Sequence, residues 1–136
     1  MNRHLGAVAA LFLALNGLAT PGVRAQAAAP AIRSIEAAWQ AERGFHLGRV
    51  MERARTTMAG DKESGTTLAG LEALVASDAK RTTRPAKTLK EIATLRTMLY
   101  KALNNLDAAE VRFDNGMLTT WERDWTYRAV VRLLLS

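Results

Sequence analysis

Cysteine is absent from all 136 residues. That excludes disulfides, thiolate metal sites, a cysteine nucleophile and the Cys-x-x-Cys-His attachment of covalent haem. Histidine occurs only as His4 and His46, too few for a histidine-based metal site. Aromatic residues make up 6% of the chain, and no stretch of useful length alternates apolar and polar residues. A sheet is therefore not expected. A Ser/His/Asp set, a glycine-rich phosphate loop and a His-Glu-x-x-His motif are all missing, while Glu36, Glu42, Glu52 and Glu110 are scattered. The chain does not read as an enzyme.

What is present begins with a targeting signal. Met1-Asn2-Arg3-His4 is a short basic start, and Leu5 to Leu18 is an apolar run. Spanning a bilayer takes roughly 20 residues, so the run is too short for that. Thr20-Pro21-Gly22 breaks it, and Val23-Arg24-Ala25 supplies a cleavage site. This layout predicts a secretory signal peptide over residues 1–25, then a flexible lead-in over 26–30 and one helical domain over 31–136. The expected location is periplasmic or secreted. Loss of Arg3 and Arg24 leaves 17 basic and 13 acidic residues, a net charge of +4 against +6 for the full chain. A mildly basic exported domain can meet an anionic envelope surface, and nucleic acid is not expected as its partner.

Alanine, leucine, arginine, glutamate and lysine dominate the rest, and these are helix formers. The spacing predicts four helices, at about 31–58, 66–81, 86–113 and 118–135. Ile32, Ile35, Trp39, His46, Val50, Ala54 and Thr57 form the apolar stripe of the first. Leu68, Leu71, Leu74, Val75 and Ala79 should face inward on the second, and Ile92, Leu95, Leu99, Leu103, Leu106 and Phe113 on the third. Thr88-Leu-Lys-Glu91 and Thr119-Thr-Trp-Glu122 have the spacing of capping boxes. Short connections favour antiparallel neighbours, so the expected fold is an all-α, up-down-up-down four-helix bundle.

Four groups of residues stand out. Ala37, Ala41, Gly44 and Gly48 make a ridge of small side chains suited to close helix contact, within the chain first and between copies second. Each glycine costs about 1 kcal/mol of helix stability relative to alanine, so the ridge should have a reason. Lys80, Arg81, Arg84 and Lys87, followed by Lys90, concentrate positive charge, with no acid from Ala79 to Lys90, and read as an anion-facing part of the partner-binding surface. Trp121, Trp125, Arg128 and Arg132 share a stripe on the last helix, with Tyr127, Val131 and Leu134 on another. One stripe is surplus to a single core and reads as an interface. Finally, His46 lies on the first apolar stripe, and Glu110 interrupts the third as a partner for Arg43 or Arg49 or as a pocket residue.

His46 with Met51, Met58, Met98 and Met117 resembles, in architecture alone, the exported haem-carrying bundles that use one histidine and one methionine. Those carry their histidine on the last helix, so a small-ligand or haem-binding bundle using the core near His46 is only the alternative here, and neither metal nor cofactor is expected. Small exported stress chaperones are similar in size, charge and helicity, but their Leu-Thr-x-x-Gln motif is absent. The leading expectation is a non-enzymatic exported protein that binds another envelope or secreted protein, as accessory subunit, immunity-type inhibitor or chaperone. Peripheral binding to an anionic membrane surface is the further alternative, and a homo-oligomer through the small-residue ridge is possible.

Overall fold

The computed structural model describes the backbone of residues 21–136 and side chains from residue 34 onward. The expected signal peptide lies outside the described residues as far as residue 20. The described residues form four helices and no strand: α1 (Pro21–Met58), α2 (Gly65–Ala79), α3 (Leu89–Asp114) and α4 (Thr120–Leu135). This arrangement is consistent with a four-helix bundle. The chain divides into two compact units, residues 1–39 and 40–136, and the packing below is that of the second. In the first unit, Trp39 is buried and its indole N–H finds no acceptor among the described residues.

Local chemistry sets the helix ends. Thr88 and Thr119 each accept from the backbone N–H three residues on, and Glu91 and Glu122 reach back to the cap residue's N–H. Both capping boxes are therefore formed, each supplying partners for otherwise orphaned donors. At the other end of α3, Gly116 takes φ +72°. Its N–H bonds the Phe113 carbonyl at 2.9 Å, and Met117 N–H bonds that of Arg112 at 2.7 Å. This paired closure needs a left-handed residue, which glycine adopts without a Cβ penalty. α2 stops at Ala79, and residues 80–88 form an irregular connection, so α3 begins later than its sequence spacing suggests.

Cross-helix bonds give the order of packing. Arg96 pairs with Glu42 at 3.1 Å and Arg53 with Asp107 at 2.6 Å, so α1 and α3 lie side by side and run the same way. Arg123 bonds Ser64 and Arg128 bonds Thr67, which sets α2 and α4 side by side and also parallel. α3 and α4 are antiparallel neighbours through their tight turn, with Tyr127 reaching Glu110. The backbones of α2 and α3 do not approach each other closely among the described residues. The expectation that consecutive helices are all neighbours fails at this connection. Residues 80–88 are long enough to reverse the chain and still set α3 away from α2.

The core gathers Val50, Met51, Ala54 and Met58 of α1 with Ile92, Leu99 and Leu106 of α3 and Tyr127, Val130, Val131 and Leu134 of α4. α2 contributes mainly Leu71, while Leu74 and Ala79, expected inward, are exposed. A helix whose backbone lies away from α3 has fewer apolar neighbours to cover its stripe.

Candidate functional site

The two stripes of α4 separate cleanly. Tyr127, Val131 and Leu134 are buried, whereas Trp121 and Trp125 remain 65% and 51% exposed. One helical turn apart, the indoles stack with centroids at 5.6 Å and planes 26° apart. Beneath them runs a groove of about 570 Å3 between α3 and α4. Ala102, Asn105, Ala108 and Arg112 line it from α3, and Trp121, Trp125 and Ala129 from α4. Small residues on both helices leave room that larger ones would fill. Arg132 is exposed, but Arg128 turns to α2, where it donates to the Thr67 hydroxyl at 3.1 Å. The tryptophan face is thus an aromatic pair over an alanine-floored groove, with Arg112 at its edge.

The basic corner has a carboxylate that the charge run itself does not reveal. Asp78, just before the run, pairs with Arg84 and lies 3.9 Å from Arg81. Lys80 and Lys90 are exposed, and Lys87 is half-buried. The corner sits with Ser136, at the opposite end of α4 from Trp121.

His46 is half-buried at the edge of the α1–α3 contact. Its ring meets Phe45 at 5.5 Å and Tyr100 at 6.1 Å, both edge-on. It lines an open groove of about 530 Å3 with Arg49, Arg53, Leu103 and Asp107, and no methionine lines that groove. Met51 and Met58 are in the core, and Met98 and Met117 are exposed. No group of three or more His, Asp or Glu side chains suited to a metal occurs among the described residues.

Glu110 pairs with neither Arg43 nor Arg49. It accepts from the Tyr127 hydroxyl, which the Thr57 side chain also bonds. Burial, and then the bond to Glu110, push the Tyr127 phenol up to about 12. A carboxylate on an apolar seam is accounted for by a tyrosine donor on the facing helix.

The small-residue ridge faces outward. Ala37, Ala41, Gly44 and Gly48 are all exposed, and a Cβ at either glycine would meet no atom within 4 Å. Close packing within the chain, the expected reason for the two glycines, does not occur among the described residues.

One of the most deeply buried side chains belongs to a residue the sequence reading passed over. Arg123 is 2% exposed. It donates to Ser64 at 2.8 Å and to Asp124 at 3.2 Å, lies 3.5 Å from Asp61, and covers the Phe113 ring at 4.1 Å. Asp61 in turn accepts from Glu63 N–H and the Ser64 hydroxyl. Arg123 thereby ties the α1–α2 loop to the start of α4. The available signal was spacing: 123, 127 and 134 continue the buried stripe, but two adjacent charges concealed it.

The chain matches no family model, no curated protein and no solved structure, so the chemistry of these surfaces carries the functional reading.

Proposed function

We propose that this chain is an exported, non-enzymatic four-helix bundle of alternating helix direction, and that it binds another envelope or secreted protein through its tryptophan face. One observation carries the reading: Trp121 and Trp125 are stacked on each other and exposed over a groove, while the core is complete without them. Two indoles in water forgo a large apolar burial, about 25 cal/mol per Å2. Tryptophan is also among the residue types that most often dominate binding energy at interfaces. Alanines along the groove floor suit an apolar side chain or a helix laid between α3 and α4. An accessory subunit, an immunity-type inhibitor or a chaperone would each use such a face.

The test uses a photo-cross-linking residue placed at Asn105, beside the groove, in cells that export the chain. A discrete protein adduct is expected, and Trp121→Ala with Trp125→Ala should remove it while leaving the helical circular dichroism unchanged. An adduct that survives the double substitution would overturn the surface assignment. N-terminal sequencing of the exported protein checks the localisation, with Gln26 as the expected first residue.

A further inference from the structure

The tryptophan face carries charge of one sign around its indoles. Arg112 lines the α3 side of the groove and is exposed. Lys101 lies eleven residues before it, three helical turns along the same stripe of α3, and is also exposed. Exposed Arg132 lies seven residues after Trp125, two turns along the tryptophan stripe of α4. Because α3 and α4 are antiparallel about their tight turn, Lys101 and Arg132 fall at one end of the groove and Arg112 at the other, near Trp121. No carboxylate of the described residues stands within ion-pair distance of these three side chains. The one acid on the groove wall, Glu122, already accepts from the Thr119 N–H and hydroxyl in the capping box. Three free cations thus surround the groove against one committed carboxylate.

The groove floor constrains the backbone of whatever lies on it. Ala102, Ala108 and Ala129 offer no side-chain hydrogen bond, and Thr126 donates its hydroxyl to the Glu122 carbonyl. An extended peptide would set unpaired N–H and C=O groups against those methyl groups, at a cost for each. A helix satisfies its own backbone and packs an apolar stripe between two neighbouring helices whose small side chains permit close approach. Ala102 to Arg112 spans roughly 15 Å, or about three turns, which sets the length engaged. Two-fold pairing of this face with itself would bring the same cations together, and like charges oppose it. A bilayer surface would take the indoles but leave the alanine floor beneath them unfilled.

We propose that the groove binds an acidic amphipathic helix of a partner protein. Its apolar stripe lies among Trp121, Trp125 and the alanines, and carboxylates on its flanks meet Arg112 at one end and Lys101 and Arg132 at the other. The inference rests on the protein-binding reading above and adds the chemistry of the partner. The indoles and the groove supply most of the affinity, while the cations select the partner by charge and speed its encounter.

Two fluorescently labelled peptides of about four helical turns test it. Both carry leucines at spacings of three and four on one face; one has glutamates along its flanks and the other lysines. Anisotropy of each, titrated with the full chain, gives the affinities. The glutamate peptide should bind about tenfold more tightly, as expected when two or three exposed ion pairs replace like-charge contacts. Lys101→Glu with Arg132→Glu should reverse that order, which damage to the fold does not do. Arg49→Glu, in the separate groove between α1 and α3, should leave the order unchanged. Trp121→Ala with Trp125→Ala should weaken both peptides. Equal affinities for the two peptides, lost in the tryptophan variant, would overturn the acidic partner and leave the protein-binding face standing. A glutamate preference that persists undiminished in the tryptophan variant would overturn both. Absence of binding by either peptide also overturns the acidic helix. So does displacement of the glutamate peptide by phosphatidylglycerol but not phosphatidylcholine vesicles, which would assign the face to an anionic membrane.

Discussion

The guanidinium of Arg123 donates to the hydroxyl of Ser64 at 2.8 Å, joining the start of α4 to the last residue before α2. Both are buried, and Asp124 shares the same guanidinium. The pair is costly to desolvate but far costlier to break, because removal of one partner strands the other charge in the interior. Arg123→Met, which keeps most of the volume, should lower unfolding free energy by about 3 kcal/mol. Adding Asp124→Leu should recover most of that loss. Urea denaturation of the two variants checks it, and equal midpoints for Arg123→Met and the unmodified chain would refute the buried-pair account.

The Tyr127 phenol gives a stability change with a defined pH window. An unfolded tyrosine titrates at its ordinary 10.0, whereas Tyr127 in the fold is pushed up to about 12. Between those values the unfolded chain releases a proton that the folded chain keeps, so stability falls as pH rises. The contribution is complete below pH 10 and gone above about 12, with a size of about 2 to 3 kcal/mol. Denaturation midpoints at pH 9 and pH 11.5, compared between the unmodified chain and Tyr127→Phe, isolate it. Other tyrosines and lysines titrate in both proteins, so only the difference between them reports Tyr127.

How far the sequence revealed this depended on which physical signal each element carried. α3 was legible because apolar spacing, a Thr-x-x-Glu cap and an Asn-Gly stop agree with one another. Its buried Ile92, Leu99 and Leu106, and its exposed Lys90, Thr97, Lys101, Asn104 and Arg112, fall where projection puts them. α4 was ambiguous because both its stripes are apolar or aromatic, and a helical projection does not say which one meets the core. The deciding feature, Arg123 and Asp124 facing inward, runs against the rule that charges face water. It becomes readable only once Ser64 and Asp61 are brought near by the α1–α2 loop. The neighbour order of the helices was equally hidden. Residues 80–88 read as a helix stop and a proline turn, and nothing local says that they cross the bundle.

Three tryptophans in two environments make the exposed pair measurable without a partner. Trp39 is 3% exposed, against 65% for Trp121 and 51% for Trp125. Acrylamide should quench most of the native fluorescence. In Trp121→Phe with Trp125→Phe the remaining emission should shift to shorter wavelength and resist quenching. The stacked indoles should also give an exciton couplet in circular dichroism that either single substitution removes. Because both side chains are largely in water, the double variant should differ in stability by under about 1 kcal/mol. A larger loss would mean that the pair belongs to the core.

Gly44 and Gly48 sit inside α1, facing out, with open space where a Cβ would stand. Nothing within the described residues requires their lack of a side chain. Alanine at either position should then stabilise the monomer by about 1 kcal/mol, through helix propensity and a less flexible unfolded chain. For a domain of this size that corresponds to a rise of about 4 °C or more in melting temperature. If the glycines are there for close approach by a second copy, the same substitutions should also weaken self-association. Thermal melts and sedimentation velocity on Gly44→Ala and Gly48→Ala separate the two effects. A higher melting temperature with an unchanged sedimentation profile leaves the ridge without a role in self-association. A lower melting temperature at a concentration where the unmodified chain associates assigns the glycines to that contact.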